Sequence, residues 1–142
     1  MPRPINAALA APAVFAILTA CGQATGDAAN GAVYQAWAQH RSRVEVTASG
    51  SVARILGTRS GLSGNHEGFL VHLRGAEGHG LTVRVEDNVD ITGPIPLKTG
   101  DEVEVRGEYI YDQRGGLIHY THLDPRGRHP GGYVRVGKIV YN

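Results

Sequence analysis

Residues 97–109 read Leu-Lys-Thr-Gly-Asp-Glu-Val-Glu-Val-Arg-Gly-Glu-Tyr, and this stretch decides the fold class. After a turn at Gly100, the apolar side chains of Val103, Val105 and Tyr109 alternate with polar or small residues. A period of two places the apolar set on one side of a β-strand and the remaining set on the other. The stretch therefore predicts a half-buried strand whose glutamates form a solvated face rather than a catalytic pair.

The same period of two recurs before and after this strand. It predicts further strands over residues 44–56, 69–73, 81–86 and 117–123, with a glycine-rich loop over 57–64 and a long link over 88–100. The first strand is expected to bend at Gly50. The predicted core contains Phe69, Val71, Val83, Val85, Val103 and Val105.

The order of these strands predicts the architecture. One long bent strand, two strands in a meander, a crossing link and a closing hairpin are typical of a small OB-like Greek-key barrel. The turn at Gly100, followed by alternating valines, is similar to the same point of many OB domains. We therefore expect an all-β domain of this kind. A seven-stranded sandwich is the alternative, because residues 133–141 can supply a sixth strand.

A short helix is predicted in front of the strands, over residues 31–40. Asn30 is a suitable N-cap, and Val33 and Trp37 lie four residues apart, which gives one apolar stripe. We expect this helix to cover one end of the domain. Trp37 is expected to pack in the core rather than to form a stacking platform for a sugar or a base.

The N-terminus contains an apolar run over residues 7–20 that ends in Leu18-Thr19-Ala20-Cys21. This run is too short to span a bilayer core of roughly 30 Å as a helix, so a cleaved signal fits better than an anchor. The four residues resemble the bacterial lipobox, in which the cysteine receives a diacylglyceryl group. The resemblance implies a lipoprotein signal peptide over residues 1–20. An ordinary signal peptide that happens to precede a cysteine is the alternative.

Lipidation at Cys21 would divide the mature chain into a flexible tether over residues 21–30 and a single domain over residues 31–142. Cys21 is the sole cysteine, so no disulfide can form within the domain. Gly22 stands where an Asp would have resembled an inner-membrane retention signal. We therefore expect a protein anchored through its lipid in the bacterial cell envelope, in the outer membrane and facing the periplasm.

The charge balance argues against a polyanionic partner. The formal net charge is +1, and removal of residues 1–20 takes away Arg3 and leaves equal numbers of basic and acidic side chains. The outward face of the second and third strands carries Glu86 and lacks alternating aromatic residues on which bases could stack. Nucleic acid is therefore an unlikely partner, and the ligand or protein partner in the envelope stays open.

Residues 107–133 read Gly-Glu-Tyr-Ile-Tyr-Asp-Gln-Arg-Gly-Gly-Leu-Ile-His-Tyr-Thr-His-Leu-Asp-Pro-Arg-Gly-Arg-His-Pro-Gly-Gly-Tyr. This segment resembles DUF3465, an uncharacterised family of bacterial exported proteins, and the resemblance extends over about residues 40–141. It implies no activity. In the family pattern a second histidine often follows the position of His122, where this chain has Leu123, which weakens any site that needs two adjacent histidines.

The densest group of chemically active side chains lies in this segment. His119, His122, Asp124 and His129 offer three imidazoles and a carboxylate, and His66 is a possible fifth member. These are ligand types suited to zinc. Because residues 119 and 122 of an extended strand face opposite ways, joint ligation requires the strand to end or bulge near Thr121. The alternative is that these side chains hydrogen-bond within the loop.

Three functional classes remain open. A non-catalytic module that binds a ligand or a partner is favoured, with candidate anion contacts at Arg74, Arg84, Arg114, Arg126 and Arg128. A zinc-binding domain is the second class, although no cofactor is otherwise expected. A hydrolase, metal-assisted or using histidine as general base, is the third. No nucleophile motif or complete acid–base pair supports the hydrolase, so we expect binding rather than turnover.

Overall fold

The computed structural model describes residues 26–75 and 79–142. The predicted signal peptide, Cys21 and the first part of the predicted tether lie outside these ranges. The described elements are α1 (Gly26–Ala38), β1 (Val44–Gly61), β2 (Gly64–Leu73), β3 (Leu81–Asn88), α2 (Val89–Thr92), β4 (Glu102–Ile110), β5 (Leu117–His119), β6 (Tyr133–Val136) and β7 (Ile139–Tyr141). Across the described ranges, no helix has the length and apolar character needed to cross a membrane.

The seven described strands form one sheet in the order β1-β2-β3-β5-β4-β6-β7. β1 also pairs with β4, so the first five strands form a closed circuit of pairings. β3 and β5 run parallel, whereas the other pairs are antiparallel. The predicted all-β class is confirmed. The segment expected to supply a sixth strand supplies two, because Gly137 adopts a positive φ of 58° and turns the chain back on itself.

The loop predicted over residues 57–64 is wrong. β1 continues to Gly61 and β2 begins at Gly64, so a long hairpin extends from the sheet. The pairing register shifts between Ile55 and Gly57, where Gly57 has a φ of 82°. A glycine in the left-handed region accommodates a bulge, which lets the strand continue where the sequence suggested a loop.

The close approach at Gly50 explains the glycine inside β1. A Cβ atom at this position would lie 2.2 Å from the carbonyl oxygen of His72 on β2. Only glycine leaves room for this approach of two backbones.

The predicted helix bounds are also wrong. α1 begins at Gly26, so residues 26–30 belong to the helix rather than to the tether, and it ends at Ala38. Asn30 is not its cap: the side chain is buried, with Nδ2 donating to the carbonyls of Ser49 and Arg74 and Oδ1 accepting from the Ser49 amide. These three hydrogen bonds attach the helix to the sheet, which a helical pattern alone could not show.

The predicted core is confirmed. All six predicted side chains are buried, together with Val33 of α1, Tyr109 of β4 and Ile118 of β5. The predicted fifth strand is too long, however, because β5 ends at His119. Tyr120 has a φ of 55°, a backbone conformation that takes the chain out of the strand.

Candidate functional site

A cleft of about 640 Å³ lies where the β1–β2 hairpin, the end of β3 and the chain after β5 meet. Since β3 and β5 are parallel, their carboxyl ends lie at the same edge of the sheet. Four imidazoles line this cleft: His66, His119, His122 and His129. Arg59 and Arg128 also line it, and Glu86 contributes a carboxylate. We refer to it as the imidazole cleft.

The early end of β5 brings the predicted histidines together. The Tyr120 ring stacks on His119 at a centroid distance of 4.0 Å and on His129 at 4.2 Å. The His122 ring meets His129 edge-on at 5.0 Å. The positive φ of Tyr120 ends the strand, so His119 and His122 do not face opposite ways as they would on an extended strand.

Asp124 stabilises the loop instead of lining the cleft. Its two carboxylate oxygens accept hydrogen bonds from the backbone amides of Arg126, at 2.9 Å, and Arg128, at 2.6 Å. The Arg128 guanidinium donates a further bond at 3.2 Å. These hydrogen bonds hold the pKa of the Asp124 carboxyl well below its usual range, and the bond from the Arg126 amide has the largest effect. Asp124 thus closes the turn that carries His129.

Three of the cleft histidines have a defined tautomer in their neutral form. Nδ1 lies 3.1 Å from the Gly64 carbonyl oxygen in His66, 2.8 Å from that of Leu123 in His122, and 2.8 Å from that of Pro130 in His129. A carbonyl oxygen can only accept, so Nδ1 carries the proton in each ring. Nε2 of each neutral ring then bears a lone pair.

His119 has a carboxylate partner that the sequence did not indicate. Its Nε2 lies 3.1 Å from Oε1 of Glu108, directly opposite on β4. Glu108 lies on the outward face of β4 as expected, but its side chain is half-buried against His119 instead of fully solvated. The register of the β4–β5 hairpin decides this pairing, and that register depends on the turn over residues 111–116.

Asp87 is a second carboxylate that sequence reasoning missed. It is fully buried at the end of β3, where it accepts hydrogen bonds from the hydroxyls of Thr121, at 2.6 Å, and Thr92. Burial raises the pKa of Asp87, and these two hydrogen bonds and the attraction of His122 and His66 oppose that rise. The signal was present in the sequence: residue 87 continues the inward set of Leu81, Val83 and Val85.

The geometry of the cleft histidines bears on the zinc site considered from the sequence. Within residues 26–75 and 79–142, no group of three or more His, Cys, Asp or Glu side chains is arranged to hold a metal ion. The carboxylate oxygens of Asp124 accept hydrogen bonds from two backbone amides and a guanidinium, and the carboxylate of Glu108 is hydrogen-bonded to His119. The described contacts therefore do not support the zinc ligand set considered from the sequence, His119, His122, Asp124 and His129.

The predicted anion contacts are mostly elsewhere. Of the five arginines named from the sequence, Arg128 lines the cleft, while Arg74 pairs with Glu102 and Arg84 pairs with Glu86. Arg114 and Arg126 are exposed and do not line it. Arg59, opposite His66 in the β1–β2 register, was missed because its segment was taken as a loop.

Comparison with known proteins identifies the family. The family described as "Protein of unknown function (DUF3465)" matches residues 15–142. No curated protein matches significantly. Among solved structures, the small single-stranded DNA-binding protein from Streptomyces coelicolor is similar at 23% identity over 54% of this chain and 84% of that chain, with a TM-score of 0.42. Because the family match covers nearly the whole sequence, the chain belongs to the DUF3465 family.

Proposed function

We propose that this chain is a lipid-anchored envelope protein whose domain binds a small anionic ligand in the imidazole cleft. The observation that carries the proposal is the convergence of four imidazoles and two guanidiniums on one cleft. Its volume of about 640 Å³ falls in the range of small-molecule sites, roughly 300–1,000 Å³.

The charges of the cleft favour an anion. Of the residues that the structure describes, Glu86 is the one carboxylate that lines the cleft, and Arg84 pairs with it from outside the cleft. Arg59 is exposed and has no ion-pair partner within the described ranges. An anion site can form from a guanidinium without an ion-pair partner together with imidazoles, which gain positive charge on protonation. Such a site is compatible with a domain whose overall charge is balanced.

A nucleic-acid strand fits this site less well. Among the described residues, Tyr120 is the one aromatic side chain besides the imidazoles that lines the cleft, and His119 and His129 stack on its ring. A base could not stack on Tyr120 without displacing one of them. The ligand is therefore a compact anion rather than a polymer bound through successive bases.

The architecture that we propose for the domain is an OB-like Greek-key barrel. The closed circuit of pairings through β1–β4 and the parallel pairing of β3 with β5 support it. The complete lipobox pattern at residues 18–21 supports attachment through Cys21, and Gly22, where an Asp would resemble an inner-membrane retention signal, supports the outer membrane facing the periplasm.

Isothermal titration with inorganic phosphate tests ligand binding. The full chain would carry Cys21→Ser, which removes the acyl acceptor and leaves every described residue unchanged. We expect phosphate to bind, and Arg59→Ala to weaken binding by roughly tenfold, the effect of about 1.4 kcal/mol. Arg54→Ala is the matched control, because Arg54 is another exposed arginine of β1 that does not line the cleft. Equal losses in both variants, or no binding by the parent chain, would reject the site.

A further inference from the structure

We propose that the imidazole cleft also hydrolyses a phosphodiester, with Nε2 of His122 as the general base. This inference rests on the proposed anion binding and adds a reaction to it. The sequence supplied no complete acid–base pair, but the structure adds a buried carboxylate beneath the cleft.

His122 has the geometry that a general base needs. Its side chain is only 7% exposed, yet it lines the cleft. The Leu123 carbonyl holds the Nδ1 proton, which leaves the Nε2 lone pair of the neutral ring. Nε2 makes no hydrogen bond within the described ranges. A ring held in this way is oriented for proton transfer with little freedom to turn.

Asp87 can stabilise the charge that His122 gains. The buried carboxylate accepts a hydrogen bond from Thr121, the residue before His122, and its negative charge attracts a protonated His122 ring. The hydroxyls of Thr121 and Thr92 hold it in place, and Thr121 directly precedes His122 in the chain. Because this interaction occurs away from bulk water, it is screened less than an exposed ion pair. Asp87 therefore acts as a positioning residue that holds the backbone segment carrying His122.

The remaining cleft groups hold the substrate. Arg59 offers a planar set of N–H donors to the phosphodiester oxygens, which suits bidentate contact. Arg128, which directly precedes His129, also lines the cleft, although its guanidinium already pairs with Asp124. Charge on the phosphoryl oxygens increases in the transition state if attack is associative, and Arg59 would stabilise it.

The reaction is a displacement by water. Nε2 of His122 takes a proton from water while the water oxygen forms a bond to phosphorus. The bond from phosphorus to the leaving oxygen breaks, and its electron pair stays on that oxygen. An alkoxide leaving group takes a proton from solvent water, and His122 returns its proton to the hydroxide that this leaves, which restores the neutral ring and yields an alcohol and a phosphomonoester. An aryloxide leaving group departs without that proton.

Turnover of bis(4-nitrophenyl) phosphate by the full chain carrying Cys21→Ser tests the inference. Release of 4-nitrophenolate is followed by absorbance, in EDTA, and phosphate binding is measured on the same samples. We expect His122→Gln to lower kcat by about 100-fold or more, while phosphate still binds through the other imidazoles and the guanidiniums of the cleft. His72→Gln is the control, because His72 is an exposed histidine of β2 outside the cleft.

A second variant separates the chemistry from folding. His122→Ala should lose activity and regain part of it when free imidazole is added, a rescue that a misfolded chain would not show. Phosphate binding without turnover by the parent chain would overturn the catalytic inference and leave the binding proposal standing. Turnover abolished by EDTA and restored by zinc would overturn the metal-free role of His122. Absence of both binding and turnover would reject both proposals.

Discussion

The hydroxyl of Thr121 donates a 2.6 Å hydrogen bond to the carboxylate of Asp87, a residue 34 positions earlier in the chain. This bond joins the end of β3 to the segment that leaves β5. Thr92 donates to the other carboxylate oxygen from α2. One buried carboxylate therefore fixes three segments at the base of the imidazole cleft, and the position of His122 depends on it.

Asp87→Asn should make the free energy of unfolding less dependent on pH above about pH 4. Because burial raises the pKa of Asp87 above 3.8, the native state binds this proton more tightly than the unfolded chain. The unfolding free energy of the wild type should therefore fall as pH rises from about 4 through the raised pKa. Urea unfolding curves recorded over that pH range would give the unfolding free energy of both proteins. The value for Asp87→Asn should rise relative to that of the wild type as pH increases.

Asp87→Ala is the control for this prediction. It removes the charge as the Asn variant does, but it leaves the hydroxyls of Thr121 and Thr92 without their carboxylate acceptor. Loss of a buried partner costs about 1–3 kcal/mol, so the Ala variant should be less stable than the Asn variant at neutral pH. If both variants followed the same pH dependence as the wild type, Asp87 would not be the titrating group.

Val105→Ala should destabilise the domain more than Glu104→Ala. Val105 is buried in β4, so truncation removes apolar contacts and leaves a cavity, at a cost of about 1–3 kcal/mol. Glu104 accepts hydrogen bonds from Tyr133 and Arg135 of β6, each at 2.5 Å, but the pair is partly exposed and contributes less than about 1 kcal/mol. Chemical denaturation would measure both; a larger loss for Glu104→Ala would contradict the strand register.

Asp124→Asn should loosen the loop over residues 120–132. The amide keeps one acceptor oxygen but places N–H groups where an amide or guanidinium of the loop now donates. Because the folded pKa of Asp124 is depressed, its stabilising effect is present above the unfolded pKa and is lost as pH falls toward the folded value. The difference in melting temperature between wild type and variant should therefore shrink below about pH 4.

Hydrogen exchange localises this effect. Faster exchange of the amides of Arg126 and Arg128 in the variant is the expected result. Unchanged exchange at both amides would show that Asp124 does not hold the loop.

Cys21→Ser should release the protein from membranes or leave its signal peptide uncleaved. The prediction follows from the lipobox pattern at residues 18–21, because the thiol is the only acyl acceptor that this pattern offers. Fractionation and intact mass would compare the variant with the wild type. Identical partitioning of both, without a mass increase from acyl chains, would exclude lipid anchorage.

The periodic part of the sequence predicted the sheet well. Val103 and Val105 alternate with charged residues, and both are buried as expected. The backbone conformation of single residues was harder to predict from the sequence. The bulge at Gly57 extends β1, and the left-handed Tyr120 ends β5 early, although tyrosine rarely adopts that conformation. Tertiary contacts impose such angles, so no local pattern indicates them.

The candidate site was predictable as a set of histidines but not as an arrangement. Their density after β5 was visible in the chain, whereas the pairing of His119 with Glu108 required the hairpin register. Arg59 enters the cleft because a long hairpin extends beyond the sheet. Asp87 was accessible in principle, as a charged residue at an inward position of an alternating strand.

The most direct measurement is a long-range ¹H–¹⁵N NMR titration of the imidazole nitrogens with inorganic phosphate. Before addition, the neutral rings of His66, His122 and His129 should carry their proton on Nδ1. Phosphate should shift the resonances of these rings and leave those of His40 and His72, which lie outside the cleft, unchanged. Shifts confined to His40 or His72, or no shift at any histidine, would contradict anion binding in the imidazole cleft.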